Sequence, residues 1–278
     1  MTKKDYIYVF DNVGDFTKWV RNKKQTTEGK NYNHSVKEGE RKTEFTGTKS
    51  FEQAQNLLDN GDHQLSRMII DTNREIKASS HMGQTLAMSI ERSAQGFIPN
   101  IGAYMTGHPY NMLNVRQAFK PMSKVISIVY NIVVSYAIQT NQMISAASKV
   151  SSAIATLEAK GYRINLYICM CALNHNTKSA KCKAGFIIKI KDAGRPMDPL
   201  RIAYPLANPS MARRHGFAFF ERADWKLPGN YGSPMNFSDI ELRPIVGNHI
   251  YLSAMNIIDG NNNMDYIVNQ IESASKKS

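Results

Sequence analysis

The sequence predicts an α/β chain folded as a three-layer α/β sandwich, and three observations predict it. Val125 to Ala137 is β-branched and almost continuously apolar, which suits a strand buried on both faces of a parallel sheet. Asn141 can cap the helix that follows. In it Met143, Ala146, Val150, Ile154 and Leu157 recur at steps of three and four, and Gly161 stands behind the last turn where a C′ residue belongs. Arg163 to Leu173 returns to β-formers, so the three pieces make a βαβ unit with an expected right-handed crossover.

From the N-terminus, Asp5 to Phe10 reads as a short strand, and Asp11 can cap a helix that buries Val13, Phe16, Trp19 and Val20. Between Arg21 and Lys49 the apolar content collapses, leaving eight Lys/Arg against four Glu; this stretch, 21–49, reads as a mobile basic loop. It could track a phosphate backbone or be a solvated insertion. Ser50 caps the next helix with Gln53 placed for a capping box, Phe51, Ala54, Leu57 and Leu58 turned inward and Gly61 ending it; Asp62 can cap another, with Leu65, Met68, Ile69 and Ile76 as its stripe. Pro99, Pro109 and Pro121 forbid a long regular element from Gly96 to Met122, which is expected to pack over the sheet edge.

After the βαβ unit, Gly185 to Lys191 is a strand with Phe186, Ile188 and Ile190 on one face and Ile187, Lys189 and Lys191 on the other. Lysines on an outer face suit an edge strand guarded against aggregation. Asp198-Pro199 and Asn208-Pro209 start two short helices, the second carrying Arg213, Arg214 and His215. Ala223 to Gly247 reads as a long loop, His249 to Met255 as the last strand, and Asn263 can cap a terminal helix with Met264, Ile267 and Ile271 inward. The expected organisation is an N-terminal elaboration over 1–120 packed on an α/β core over 121–278.

Composition narrows the function. The chain carries 35 Lys/Arg against 23 Asp/Glu, a net charge of +12, and both halves share the excess. Such a bias attracts polyanions with an affinity that falls as salt rises, although a basic protein with no such partner is the open alternative. Arg213, Arg214, Lys189, Lys191, Lys178, Lys181 and Lys183 are the candidate phosphate contacts, the two arginines being the densest basic point. Their alternative is ion pairing with Glu221 or Asp224. Three cysteines, an odd number, fit a reducing compartment; no signal-peptide core opens the chain, so a cytoplasmic location is expected, and no apolar run suits a membrane partner.

The sequence lacks a phosphate loop, a dinucleotide-binding glycine motif, a nucleophile elbow and a His-Glu-x-x-His zinc motif, so no cofactor is expected and an enzyme is disfavoured. Three alternatives stay open. Cys169, Cys171, His175 and Cys182 could form a zinc site, against which two cysteines in an apolar strand suit small buried hydrophobes. The Gly107-His108-Pro109 turn would present His108 and Asn111 at the sheet edge near Asn131 and Ser135, and an enzyme would have its site around His108, Asn131 and Ser135, against which His108 suits a turn histidine bonded to backbone. A protein-interaction module without nucleic acid, using the C-terminal edge of the sheet, is the third.

The order of apolar strand, polar loop and amphipathic helix ending LEAKGYRINLYI resembles the opening half of a von Willebrand factor A domain over about fifty residues. Those domains hold a divalent cation on Asp-x-Ser-x-Ser; here the stretch from Asn131 through Ser135 to Asn141 has no carboxylate, so the resemblance implies the fold without the metal-dependent adhesion site. The phrases GFIPNIGAYMTGHPYNML (Gly96 to Leu113) and NPSMARRHGFAFFER (Asn208 to Arg222) are similar to those of an uncharacterised family of bacteriophage and mobile-element proteins. The resulting expectation is a non-catalytic phage-type accessory protein that binds nucleic acid, single-stranded DNA foremost, and a protein partner such as a polymerase in viral transcription or replication.

Overall fold

The computed structural model describes residues 2–4, 6–36, 43–79, 88–95, 98–117, 125–173, 183–195, 197–224, 231, 233, 235–260 and 264–277. In chain order the elements are β1 (Thr2–Lys4), β2 (Ile7–Phe10), α1 (Val13–Asn22), α2 (Thr27–Tyr32), α3 (Thr43–Thr46), α4 (Phe51–Asn60), α5 (His63–Ser79), β3 (Met88–Ser93), β4 (Ile98–Pro99), α6 (Ile101–Met105), β5 (Met112–Gln117), β6 (Val125–Asn131), α7 (Thr140–Ala159), β7 (Arg163–Leu173), β8 (Lys183–Lys191) and α8 (Pro199–Ala207). A π-helical segment, Met211–Gly216, runs into α9 (Phe217–Phe220), and α10 (Asp239–Val246), β9 (His249–Ser253), α11 (Ala254–Ile258) and α12 (Met264–Lys277) complete the chain.

The βαβ unit forms as its periodicity dictates. β6 and β7 pair in parallel from Val125 opposite Arg163 to Asn131 opposite Cys169, and Met143, Ala146, Val150, Ile154 and Leu157 of α7 are all buried. Gly161 takes φ +95°, its N–H bonds the Glu158 carbonyl at 2.9 Å, and Tyr162 N–H reaches back to Leu157 O at 3.0 Å, the paired closure of a glycine-terminated helix. Two ends differ from expectation. The helix is capped by Gln139 with Gln142 in a reciprocal box, not by Asn141. β6 stops at Asn131, not Ala137, because the Asn131 side-chain oxygen accepts from Val133 N at 3.1 Å and turns the chain out of the ladder, although Ile132 to Val134 remain buried.

The sheet is six-stranded and mixed, ordered β1-β2-β8-β7-β6-β9. β8 is therefore interior, antiparallel to β7 and parallel to β2, which corrects its expected edge position. The two N-terminal strands extend the sheet past β8, so the first residues are part of the core sheet as well as packed on it. Helices α5, α7, α8 and α12 pack together over one face of the sheet, whose core includes Phe10, Phe16, Ile128, Ile168, Phe186 and Phe219; α10 and the segment before it cover Val129, Cys169, Cys171 and Ile187 on the other. These three layers are the α/β sandwich. A second sheet, β3-β5-β4, is antiparallel, and with α6 it makes an arm over 88–117, of which β4, α6 and β5 fall in the segment from Gly96 that was expected to be irregular. Among the described residues no helix is long and apolar enough to cross a membrane.

Candidate functional site

The densest basic point of the sequence is inside the protein. Arg213, Arg214 and His215 lie on the π-helical segment, where Phe217 N–H bonds the Ala212 carbonyl five residues back, and each is at most 5% exposed. The wider turn sends three consecutive side chains to three places. Arg213 donates to Phe45 O at 2.6 Å and Ser135 O at 2.8 Å, with its guanidinium 4.1 Å from the Phe45 ring centroid. Arg214 donates to Ser35 O at 3.2 Å and Thr48 O at 2.9 Å. His215 packs between the rings of Phe51 and Tyr204, and burial pushes its imidazole down to about 4, so it is neutral at physiological pH. The expected partners of the arginines are engaged elsewhere: Asp224 pairs with Lys23 at 3.1 Å, and the buried Glu221 accepts from Ser35 N and Tyr231 OH, both at 2.9 Å, from Gln25 Nε2 at 3.1 Å and from Ser35 Oγ.

These bonds also overturn the picture of 21–49 as a mobile loop for its described parts, 21–36 and 43–49. α2 and α3 form within it, and Glu221, Arg213 and Arg214 bind their backbone on both sides. Gly29 is required at the closest point, since a Cβ there would stand 2.0 Å from Glu221 O. A polar segment with little apolar surface docks because buried charged side chains satisfy its backbone groups.

The remaining candidate cations are largely committed. Lys183 pairs with Glu241 at 3.1 Å, and Lys189 lies 5.5 Å over the Tyr167 ring and 3.5 Å from Asp192. Lys191 was expected on the same face as Lys189. The register passes from Tyr167–Lys189 to Leu166–Lys191, so a bulge at Ile190 turns Lys191 towards α7, where it is buried against Glu158 at 2.5 Å and Ile164 O at 3.0 Å. Lys178 and Lys181 lie outside the described residues, as do His175 and Cys182. Cys169 and Cys171 are free and buried; burial pushes Cys171 up to about 12 and Cys169 well above the usual thiol range, so both are held as neutral thiols. No group of three His, Cys, Asp or Glu placed to hold a metal occurs among the described residues.

The sheet-edge residues do not converge on one site. Asn131 donates to Met235 O at 2.6 Å and to Asn236 Oδ1 at 2.8 Å, and Ser135 gives its carbonyl to Arg213 and its N–H to Met255 sulfur at 3.4 Å. His108 is exposed at the arm, where its Nδ1 accepts from Tyr110 N at 3.1 Å; the Asn111 carbonyl accepts from Asn100 N at 2.8 Å.

Against this architecture, one family model matches residues 1–276, nearly the whole chain. The chain belongs to DUF7192, a domain of unknown function. No curated protein and no solved structure matches it.

Two surfaces of this DUF7192 chain were not anticipated. Five of the eleven large apolar side chains exposed among the described residues fall within the arm: Ile98, Ile101, Tyr104, Met105 and Tyr110 are 54–80% exposed, and only Ala103 of α6 is buried. Residues 93 to 115 hold no Lys, Arg, Asp or Glu, and the charges of the arm, Glu91, Arg92 and Arg116, lie on the β3 and β5 strands outside that run. That run of 23 uncharged residues was a readable signal. The second surface is a shallow groove of about 390 Å³ lined by Asp15, Lys18, Trp19, Asn22 and Lys23. Its signal in sequence was the Lys-Trp pair of α1, which reads equally as a buried tryptophan beside a solvated lysine.

Proposed function

We propose that this protein is a non-catalytic, cytoplasmic accessory protein of the bacteriophage kind, which docks on a protein partner through its arm and carries nucleic acid on its basic surface. The observation that carries the reading is the set of five exposed apolar side chains in the part of the arm, 93–115, that holds no charged residue. Monomeric proteins rarely leave contiguous apolar surface open, and such patches mark association sites. An association surface of this type also has aromatic and methionine anchors, which Tyr104, Tyr110 and Met105 supply. The nucleic-acid half rests on the net charge and on exposed cations such as Lys18, Lys24 and Lys30. A non-catalytic role is supported by His108, Asn131 and Ser135 serving separate structural bonds. The resemblance of Gly96 to Leu113 and of Asn208 to Arg222 to segments of phage and mobile-element proteins supports the setting.

The test is purification of the tagged chain from its native host beside an Ile101→Ser/Tyr104→Ser variant and a control, Arg163→Ala, at an exposed position. A defined protein retained by the wild type and the control and lost from the arm variant supports the reading. Equal retention by all three refutes it.

A further inference from the structure

Helix α1 buries Phe16 and Val20, and Asp15, Lys18, Trp19 and Asn22, three and four residues apart, form a second stripe that meets Lys23 in the groove. The Trp19 ring is held in place by Phe219 at 4.9 Å, Tyr8 at 5.3 Å and Phe10 at 6.2 Å, while part of it stays open to solvent. Lys18 is exposed and has no ion pair among the described residues. Lys23 pairs with Asp224 at 3.1 Å, but those side chains are 40% and 57% exposed, and a pair so solvated exchanges readily for another anion. Lys24 follows directly, and Lys30 is exposed on α2.

We infer that this groove binds single-stranded nucleic acid, with one unpaired base stacked on the open side of Trp19 and the flanking phosphates on Lys18 and Lys23. A rigid aromatic surface beside cations is the combination that unpaired strands use, because every base has a stacking face and every linkage a charge. In a duplex the base faces are already stacked, so the groove selects the single strand. Asn22 can bond a base edge or sugar. Asp15, bonded by the Asn12 amide at 3.1 Å, puts negative charge at the start of the helix, and the phosphates therefore run from Lys18 towards Lys23 and Lys24.

This site rests on the nucleic-acid half of the proposed function, and the experiment separates the two. The full chain carrying Trp225→Phe, in which Trp19 is the remaining tryptophan, is titrated with an oligothymidylate of about 15 nucleotides, the upper end of a single-site footprint. Binding should quench Trp19 emission. Lys18→Ala/Lys23→Ala, at exposed or partly exposed positions, should weaken binding about tenfold and make the log affinity against log salt slope shallower by about 1.4, the loss of two phosphate contacts on a single strand. Trp19→Phe should also weaken binding, and Arg163→Ala should leave it unchanged. Binding by the wild type that is neither quenched nor weakened in the groove variants would overturn the groove and leave the nucleic-acid reading standing; no binding by the wild type would overturn both.

Discussion

Replacing Arg214 by Ala should cost folding stability and leave nucleic-acid binding intact. The side chain is 2% exposed and donates to two carbonyls, Ser35 O and Thr48 O, thirteen residues apart in the chain. Without the guanidinium Ser35 O loses this donor, at about 1–3 kcal/mol for a buried group left unpaired, and Thr48 O, which keeps the Thr46 hydroxyl at 2.7 Å, loses a charge-assisted bond of about 1.5–3 kcal/mol. The sum, about 4 kcal/mol, is a large share of the stability of an ordinary domain. With a urea m-value of about 3 kcal/mol/M, the unfolding midpoint falls by about 1.3 M. Arg213→Ala should behave alike, since it removes the charged donor from Phe45 O and from Ser135 O, the latter keeping Ile138 N–H at 3.1 Å, together with a cation–π contact. The assay is urea unfolding followed by circular dichroism, beside salt elution from single-stranded DNA, with exposed Arg163→Ala as control. An unchanged midpoint together with a shallower salt slope would refute the interior placement and return the arginines to the surface.

Gly161→Val should lower stability by at least about 1 kcal/mol, because its φ of +95° strains a β-branched side chain; a melting temperature equal to wild type would contradict the helix end described. Gly29→Ala should release α2 from Glu221, read as faster proteolysis within 21–36, and unchanged cleavage would count against that docking. His215 makes stability pH-dependent. Its folded-state value of about 4 lies below the unfolded 6.5, so the unfolded chain takes the proton first and stability falls as pH drops from about 6.5 to 4, by about 3 kcal/mol in all. His215→Phe, placed among Phe51 and Tyr204, should flatten that part of the pH–stability curve, and an unaltered curve would assign the acid sensitivity elsewhere.

The regular elements were legible where one periodicity ran uninterrupted. The stripe of α7 and its glycine end, the Ser50 cap and the Asp198-Pro199 start all follow from local bonding, although the Gln53 side chain accepts from Lys49 N and does not close the expected box on Ser50. What was not legible depends on contacts distant in sequence. Arg213, Arg214 and His215 read as a surface cluster, yet Met211 and Ala212 precede them and Phe217 to Phe220 follow, all buried, so the flanks argued for the interior. Their partners are carbonyls more than seventy residues away, which no spacing rule reports. Lys191 failed for a different reason: one bulged residue at Ile190 reverses the face that strict alternation assigns. The docked basic segment could not be read either, because Glu221 and the arginines hold it by its backbone, and composition describes side chains.

The most direct measurement is calorimetry of the purified partner binding to the full chain, compared with the Ile101→Ser/Tyr104→Ser and Met105→Ser variants. Burial of the arm's apolar side chains predicts a negative heat-capacity change for the wild type and affinity at least about tenfold weaker in the variants, with circular dichroism unaltered because these side chains are exposed. Equal affinity and an equal heat-capacity change across the three proteins would contradict the arm as the docking surface.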